Sequence, residues 1–113
     1  MSTLLVSPTT PAINLHELVD YPAAGVLSKV LWKNERCQYS LFCLAANTDI
    51  SEHTSTRHAT VQVVEGTGTL TLNGEEIALA PGVFIFMEAN APHALAAATN
   101  LAFVLTLSSP GEG

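Results

Sequence analysis

The chain has 113 residues, 48% of them apolar and only 12% charged, and a formal net charge of −6. That length holds one domain with a real core and not two. Its four Lys and Arg residues, between Lys29 and Arg57, are too few for the basic patch that nucleic acid or an anionic membrane requires, and no apolar run is long enough to span a bilayer.

The first segment, residues 1–25, reads as an arm. Its opening, "MSTLLVSPTTPAIN", is rich in Ser, Thr and Pro and predicts an irregular or strand-swapped stretch. It has no basic segment and no long apolar core, so it does not read as a secretory signal, and the expected location is cytoplasmic. "INLHELVDYP" fits either a short strand or a helical turn, ended by Pro22 and the Ala-Ala-Gly that follows.

From residue 26 the pattern is β. "VLSKVLWK" has extended character, broken by Lys29 and Lys33. "RCQYSLFCLAA" is rich in aromatic residues and bounded by turn residues, a stronger strand. Its two cysteines, Cys37 and Cys43, share a face but stand about 20 Å apart at strand rise. They are too distant to pair and read as small buried side chains.

"ATVQVVE" predicts a strand that opens just after His58. "TGTLTLNGEEIAL" predicts a hairpin. Leu70 and Leu72 alternate with Thr69 and Thr71, Asn73-Gly74 supplies a type I′ turn, and Ile77 and Leu79 alternate again. "VFIFM", "PHALAAA" and "NLAFVLTLS" predict three more strands, and the tail "SPGEG" is expected to fray. No segment keeps a helical period. Many short strands separated by turns predict an all-β sandwich or barrel.

Chemistry is sparse. There is no phosphate loop, no nucleophile elbow and no credible carboxylate pair. His53 and His93 each lie beside a hydrophobic strand, and a barrel can bring two such positions together. Neutral imidazole is the form that binds metals.

Two stretches carry a family resemblance. Residues 47–66 follow the spacing of the first cupin motif: Gly, five residues, His-X-His, three or four residues, Glu, six residues, Gly. "GVFIFMEANAPH", residues 82–93, follows the second. The chain therefore resembles a cupin, a double-stranded β-helix or jelly-roll barrel, over about Val26 to Leu107, and the barrel domain is expected at residues 26–109. Asn47 and Asn90 stand at motif glycines, where Asn is the next-best residue for a positive φ.

The resemblance implies a divalent ion such as Mn, Fe, Ni or Zn held by three histidines and a glutamate. Here only His53 and His93 match. Ser55 stands at the second histidine and Ala59 at the glutamate; serine is a poor ligand and alanine is none. His58 lies one residue before the glutamate position. A regular strand points it away from the barrel, whereas a bulge at the strand start would turn it inward and complete a three-histidine site with His53 and His93.

Two functions follow. One is a small-molecule-binding cupin with at most a weak metal site at the barrel mouth. The other is a metal-dependent cupin enzyme, of dioxygenase, isomerase or hydrolase type, built on those three histidines. The missing glutamate and second histidine favour the first. Phe84, Phe86 and Met87 are expected in the core or pocket wall, and Met87 with Phe42 is a candidate for shaping a binding cavity. Glu52 and Arg57 are expected in solvent, and Gln62 on a surface or interface. The low charge and the habit of cupins to pair through their sheets predict a homodimer.

Overall fold

The computed structural model describes residues 4–110. The first three residues of the arm and the last three of the tail, where fraying is expected, lie outside the described residues. One four-residue helical turn, α1 (Leu15–Leu18), resolves the ambiguity of "INLHELVDYP". Asn14 starts it, its side chain accepting a hydrogen bond from the His16 backbone N–H, as an N-cap asparagine should.

Nine strands follow: β1 (Val26–Lys33), β2 (Cys37–Leu44), β3 (Asp49–His53), β4 (His58–Glu65), β5 (Gly68–Leu72), β6 (Glu75–Leu79), β7 (Phe84–Met87), β8 (His93–Ala97) and β9 (Leu101–Ser108). They form a five-stranded sheet, β1-β2-β9-β4-β7, and a four-stranded sheet, β3-β8-β5-β6. Every pairing is antiparallel, and the two sheets make the expected jelly-roll. The β5–β6 hairpin turns at Asn73 and Gly74, with φ of 51° and 82°, the two positive values of a type I′ turn. Asn47 and Asn90 have φ of 69° and 70°, so both asparagines hold the left-handed backbone that a glycine would otherwise supply.

The main core gathers inward residues of both sheets, among them Leu44, Val61, Leu70, Leu79, Leu101 and Phe103. On β7 the period of two sends Ile85 and Met87 inside and leaves Phe84 and Phe86 on the outer surface, 61% and 55% exposed. This corrects the expectation that both phenylalanines pack in the core. Four consecutive apolar residues hid the alternation, since either phase of the pattern looks equally apolar.

A second cluster lies outside the barrel. Leu31, Leu41, Cys43 and Ala102 on the outer face of the five-stranded sheet are covered by the arm residues Leu5, Val6, Ile13, Leu15, Leu18 and Tyr21. Bulges place the arm's anchors. Val30 pairs with Ser40 and Trp32 with Tyr39, so Leu31 is an extra residue, and its carbonyl accepts from the Val6 N–H at 2.9 Å. Lys29 Nζ adds a 2.8 Å bond to the Leu18 carbonyl.

On β4, Val63 pairs with Phe103 but Glu65 pairs with Ala102. Without that extra residue Glu65 would share the inward face of Val63, a carboxylate in an apolar core. The bulge turns it out to the arm, where Tyr21 Oη donates to Glu65 Oε1 at 2.6 Å and His16 Nδ1 lies 3.2 Å from Oε2. The Tyr21 bond first, and the His16 contact second, hold the Glu65 carboxyl below the usual carboxylate range. Burial, reinforced by the same bond, pushes the Tyr21 hydroxyl well above its ordinary range.

Two outcomes test this fold. Gly66 sits at φ +91°, and a Cβ there would lie 2.0 Å from the Asn100 carbonyl oxygen. Strain and overlap act together, so Gly66→Ala should lower the unfolding free energy by about 2–4 kcal/mol in urea titration; an unchanged midpoint would contradict the geometry. The second concerns Glu65. A folded-state value below the unfolded one contributes stability in full above the ordinary carboxylate value of about 4.3, and loses it as pH falls through the lowered value. Both partners are partly solvated, so the gap between wild type and Glu65→Gln should be under about 1 kcal/mol at neutral pH. It should close on acidification, whereas a gap that widens in acid would refute the contact.

Candidate functional site

One mouth of the barrel is built by the ends of β3 and β8. His53 closes β3, a strand the sequence pattern did not separate from the loop around it, and His93 opens β8. The two are direct cross-strand partners. Ile50 pairs with Leu95 and His53 with His93, three residues along β3 against two along β8. That is one extra residue, a β-bulge. Ile50 lines the interior cavity, and in a regular strand a residue three further on would point the other way. The bulge returns His53 to the face of Ile50. The start of β4 is regular at His58, the first of the two alternatives there, and the bulge on β3 aims a different histidine.

The imidazole centroids of His53 and His93 are 4.2 Å apart, with an interplanar angle of 65°, an edge-to-face contact. His53 is exposed at the rim and His93 is half-buried. Each ring is fixed by the same local bond: His53 Nδ1 lies 2.9 Å from the Ser51 carbonyl oxygen, and His93 Nδ1 2.9 Å from the Ala91 carbonyl oxygen. A carbonyl oxygen only accepts, so Nδ1 carries the proton in both rings. In the neutral ring Nε2 is then the nitrogen with the lone pair.

Below the pair lies a cavity of about 180 Å³. Phe42, Val61, Leu70, Met87, Leu95 and Phe103 form much of its wall, and Phe42 and Phe103 stack with centroids 5.5 Å apart and planes 6° from parallel. Met87 and Phe42 thus line the cavity as well as the core. Among the described residues, His53 and His93 are its only polar lining side chains, and no charged residue lines it.

His58 stands elsewhere. It pairs with Ser108 and its neighbour Ala59 with Leu107 in unbroken register, so it keeps the outward face while Ala59 is buried in the core. Its ring lies 5.4 Å from that of Phe86. Its Nδ1 accepts the Ala89 backbone N–H at 2.9 Å, which makes Nε2 the protonated nitrogen. The bond has a structural use. Together with the Asn90 N–H to Ser55 carbonyl bond of 2.7 Å, it holds the turn that carries Ala91, the partner of His93, into β8. Ser55 Oγ meanwhile accepts from the Arg57 N–H. Glu52, Arg57 and Gln62 are exposed, as expected of them.

The structure brings together two of the three expected histidines and sets the third apart. Among the described residues no group of three or more His, Cys, Asp or Glu side chains is placed to hold a metal ion. Structural or catalytic zinc sites use three or four protein donors, and the mouth offers two imidazoles. The residues present do not fit the ligand set that the family resemblance implies.

The comparisons with known proteins agree with the fold. The cupin domain model matches residues 40–108. A conserved protein of unknown function from Streptococcus pyogenes is similar in structure, with 26% identity and a TM-score of 0.84 over 99% of this chain and 98% of that one. A cupin superfamily protein from Desulfitobacterium hafniense has 23% identity and a TM-score of 0.83 over 96% and 99%. A mutant salicylate 1,2-dioxygenase from Pseudoaminobacter salicylatoxidans has 22% identity and a TM-score of 0.70 over 79% of this chain but only 28% of its own. The last two, under 25% identical, speak for fold alone. No curated protein matches the sequence.

Proposed function

The chain belongs to the cupin-domain family, and from that premise we propose that it is a small-molecule-binding cupin with at most a weak metal site, its ligand seated under His53 and His93. The observation that carries this reading is the cavity itself: about 180 Å³ with an apolar wall and one pair of imidazoles at its open mouth. A greasy pocket with few polar groups is the usual anatomy of a ligand site. Its size sits near the roughly 150 Å³ of a cavity that takes benzene and below the 300–1,000 Å³ or so of pockets for drug-sized ligands. The ligand is therefore about one ring in size.

The enzyme reading needs His58 inside. His58 would have to give up the Ala89 bond, worth about 0.5–1.5 kcal/mol net, and change faces on a strand whose register is regular there. The geometry favours the binding reading over it.

The partner we propose is a second copy of the chain. The arm covers only part of the outer face of the five-stranded sheet. Beyond it, one row of cross-strand partners runs Trp32, Tyr39, Thr106, Thr60, Phe86. Tyr39, Phe84 and Phe86 stand 41%, 61% and 55% exposed. Aromatic side chains of this kind are enriched in interfaces. A cytoplasmic location fits the two free thiols, Cys37 and Cys43; among the described residues no helix is long and apolar enough to cross a membrane.

Two measurements address these readings. Protein purified without an affinity tag and dialysed against chelator should hold well under one equivalent of transition metal by mass spectrometry, and Mn, Fe, Ni or Zn should scarcely shift its melting temperature. Near-stoichiometric retained metal would favour the three-histidine enzyme instead. For the partner, light scattering should give a dimer mass for wild type and a monomer mass for Phe84→Ser/Phe86→Ser; a monomeric wild type would remove the homodimer.

A further inference from the structure

The two mouth histidines share a property that neither needs for packing. Both are tied at Nδ1 to a backbone carbonyl two residues earlier, each at 2.9 Å. Both therefore present the same kind of atom at Nε2, an acceptor, and no other polar side chain lines the cavity to offer the opposite. A ligand group placed between two acceptors must bring its own hydrogen.

Resting on the pocket reading above, we infer that the histidine pair, in its neutral form, selects small apolar molecules that carry a hydrogen-bond donor, a hydroxyl group being the simplest, and rejects carboxylates of the same size. A hydroxyl donates to one Nε2 while its carbon skeleton fills the space beside Phe42 and Phe103. A carboxylate presents only acceptors. It meets two lone pairs, no cation in the lining, and a chain of net charge −6 that repels anions at long range. Burying it there would leave a charge without a partner. The rings cannot simply exchange roles. Moving the proton to Nε2 would set the Nδ1 lone pair against a carbonyl oxygen at both histidines.

The test compares phenol, anisole and benzoate as probes, by calorimetry on the chelator-treated full chain in mildly alkaline buffer. Phenol and anisole share a ring and an oxygen, and only phenol donates. In His53→Leu/His93→Leu, which removes both acceptors, the phenol-to-anisole affinity ratio should fall about 3- to 10-fold, the worth of one hydrogen bond. Comparing ratios cancels the difference in probe size. Should the double variant fail to fold, the single variants His53→Leu and His93→Leu are measured instead, and the ratio should fall in at least one of them; circular dichroism reports folding for all three. Benzoate should bind most weakly of the three to wild type. A ratio unchanged in the folded variants, or benzoate binding more tightly than phenol, would overturn the inference while leaving the pocket in place. Binding of none of the three probes would overturn both.

Discussion

A side chain on a strand changes faces at every residue, and His53 reaches the barrel interior only because β3 carries one residue more than β8 between Ile50 and His53. This parity constraint governs the mouth. With a regular β3, His93 would face the cavity alone and the edge-to-face pair would not form. The same device recurs twice on the other sheet. On β4 it turns Glu65 out of the core toward Tyr21; on β1 it frees the Leu31 carbonyl for Val6. Each bulge re-aims one group that the period of two would misplace, and two of the three serve to bind the arm.

Donor count bears on the chemical readings more directly than any distance. Imidazole is a good ligand, but a pair of them competes poorly against the three or four donors of an ordinary zinc site. The position that could have added a third is buried Ala59, packed between Met87 and Leu107 in the ladder. Serine at position 55 spends its hydroxyl on the Arg57 N–H within its own loop. His58 has become part of the scaffold, since its lone pair satisfies the Ala89 N–H and steadies the turn before His93. Around the mouth, the polar side chains of Ser55 and His58 are engaged in local structure.

Much of this was legible in the sequence because it rests on local rules. The Asn73-Gly74 turn, the alternation of β5 and β6, and the positive φ at Asn47 and Asn90 all follow from what single residues allow. The pairing of His53 with His93 was legible through motif spacing. What the sequence hid was phase. "VFIFM" is apolar on both faces, so nothing in it says that Phe84 and Phe86 point outward. "TDISEH" carries no strong β signal, and its bulge is visible only once β8 lies alongside. His16, given no role by its pattern, meets Glu65 across 49 positions of chain, a separation that no local rule spans.

The two edges of the five-stranded sheet are unlike. β1 is distorted by its bulge, joined to the arm through Val6, and tethered again by Lys29 to the Leu18 carbonyl. β7, at the opposite edge, is regular and carries two exposed phenylalanines. A sheet open on both sides can add copies head to tail without limit, which is how fibres grow. Here the β1 edge is interrupted by its bulge and bonded to the arm at Leu31, so the two edges are unequal templates, and β7 is the more regular of the two.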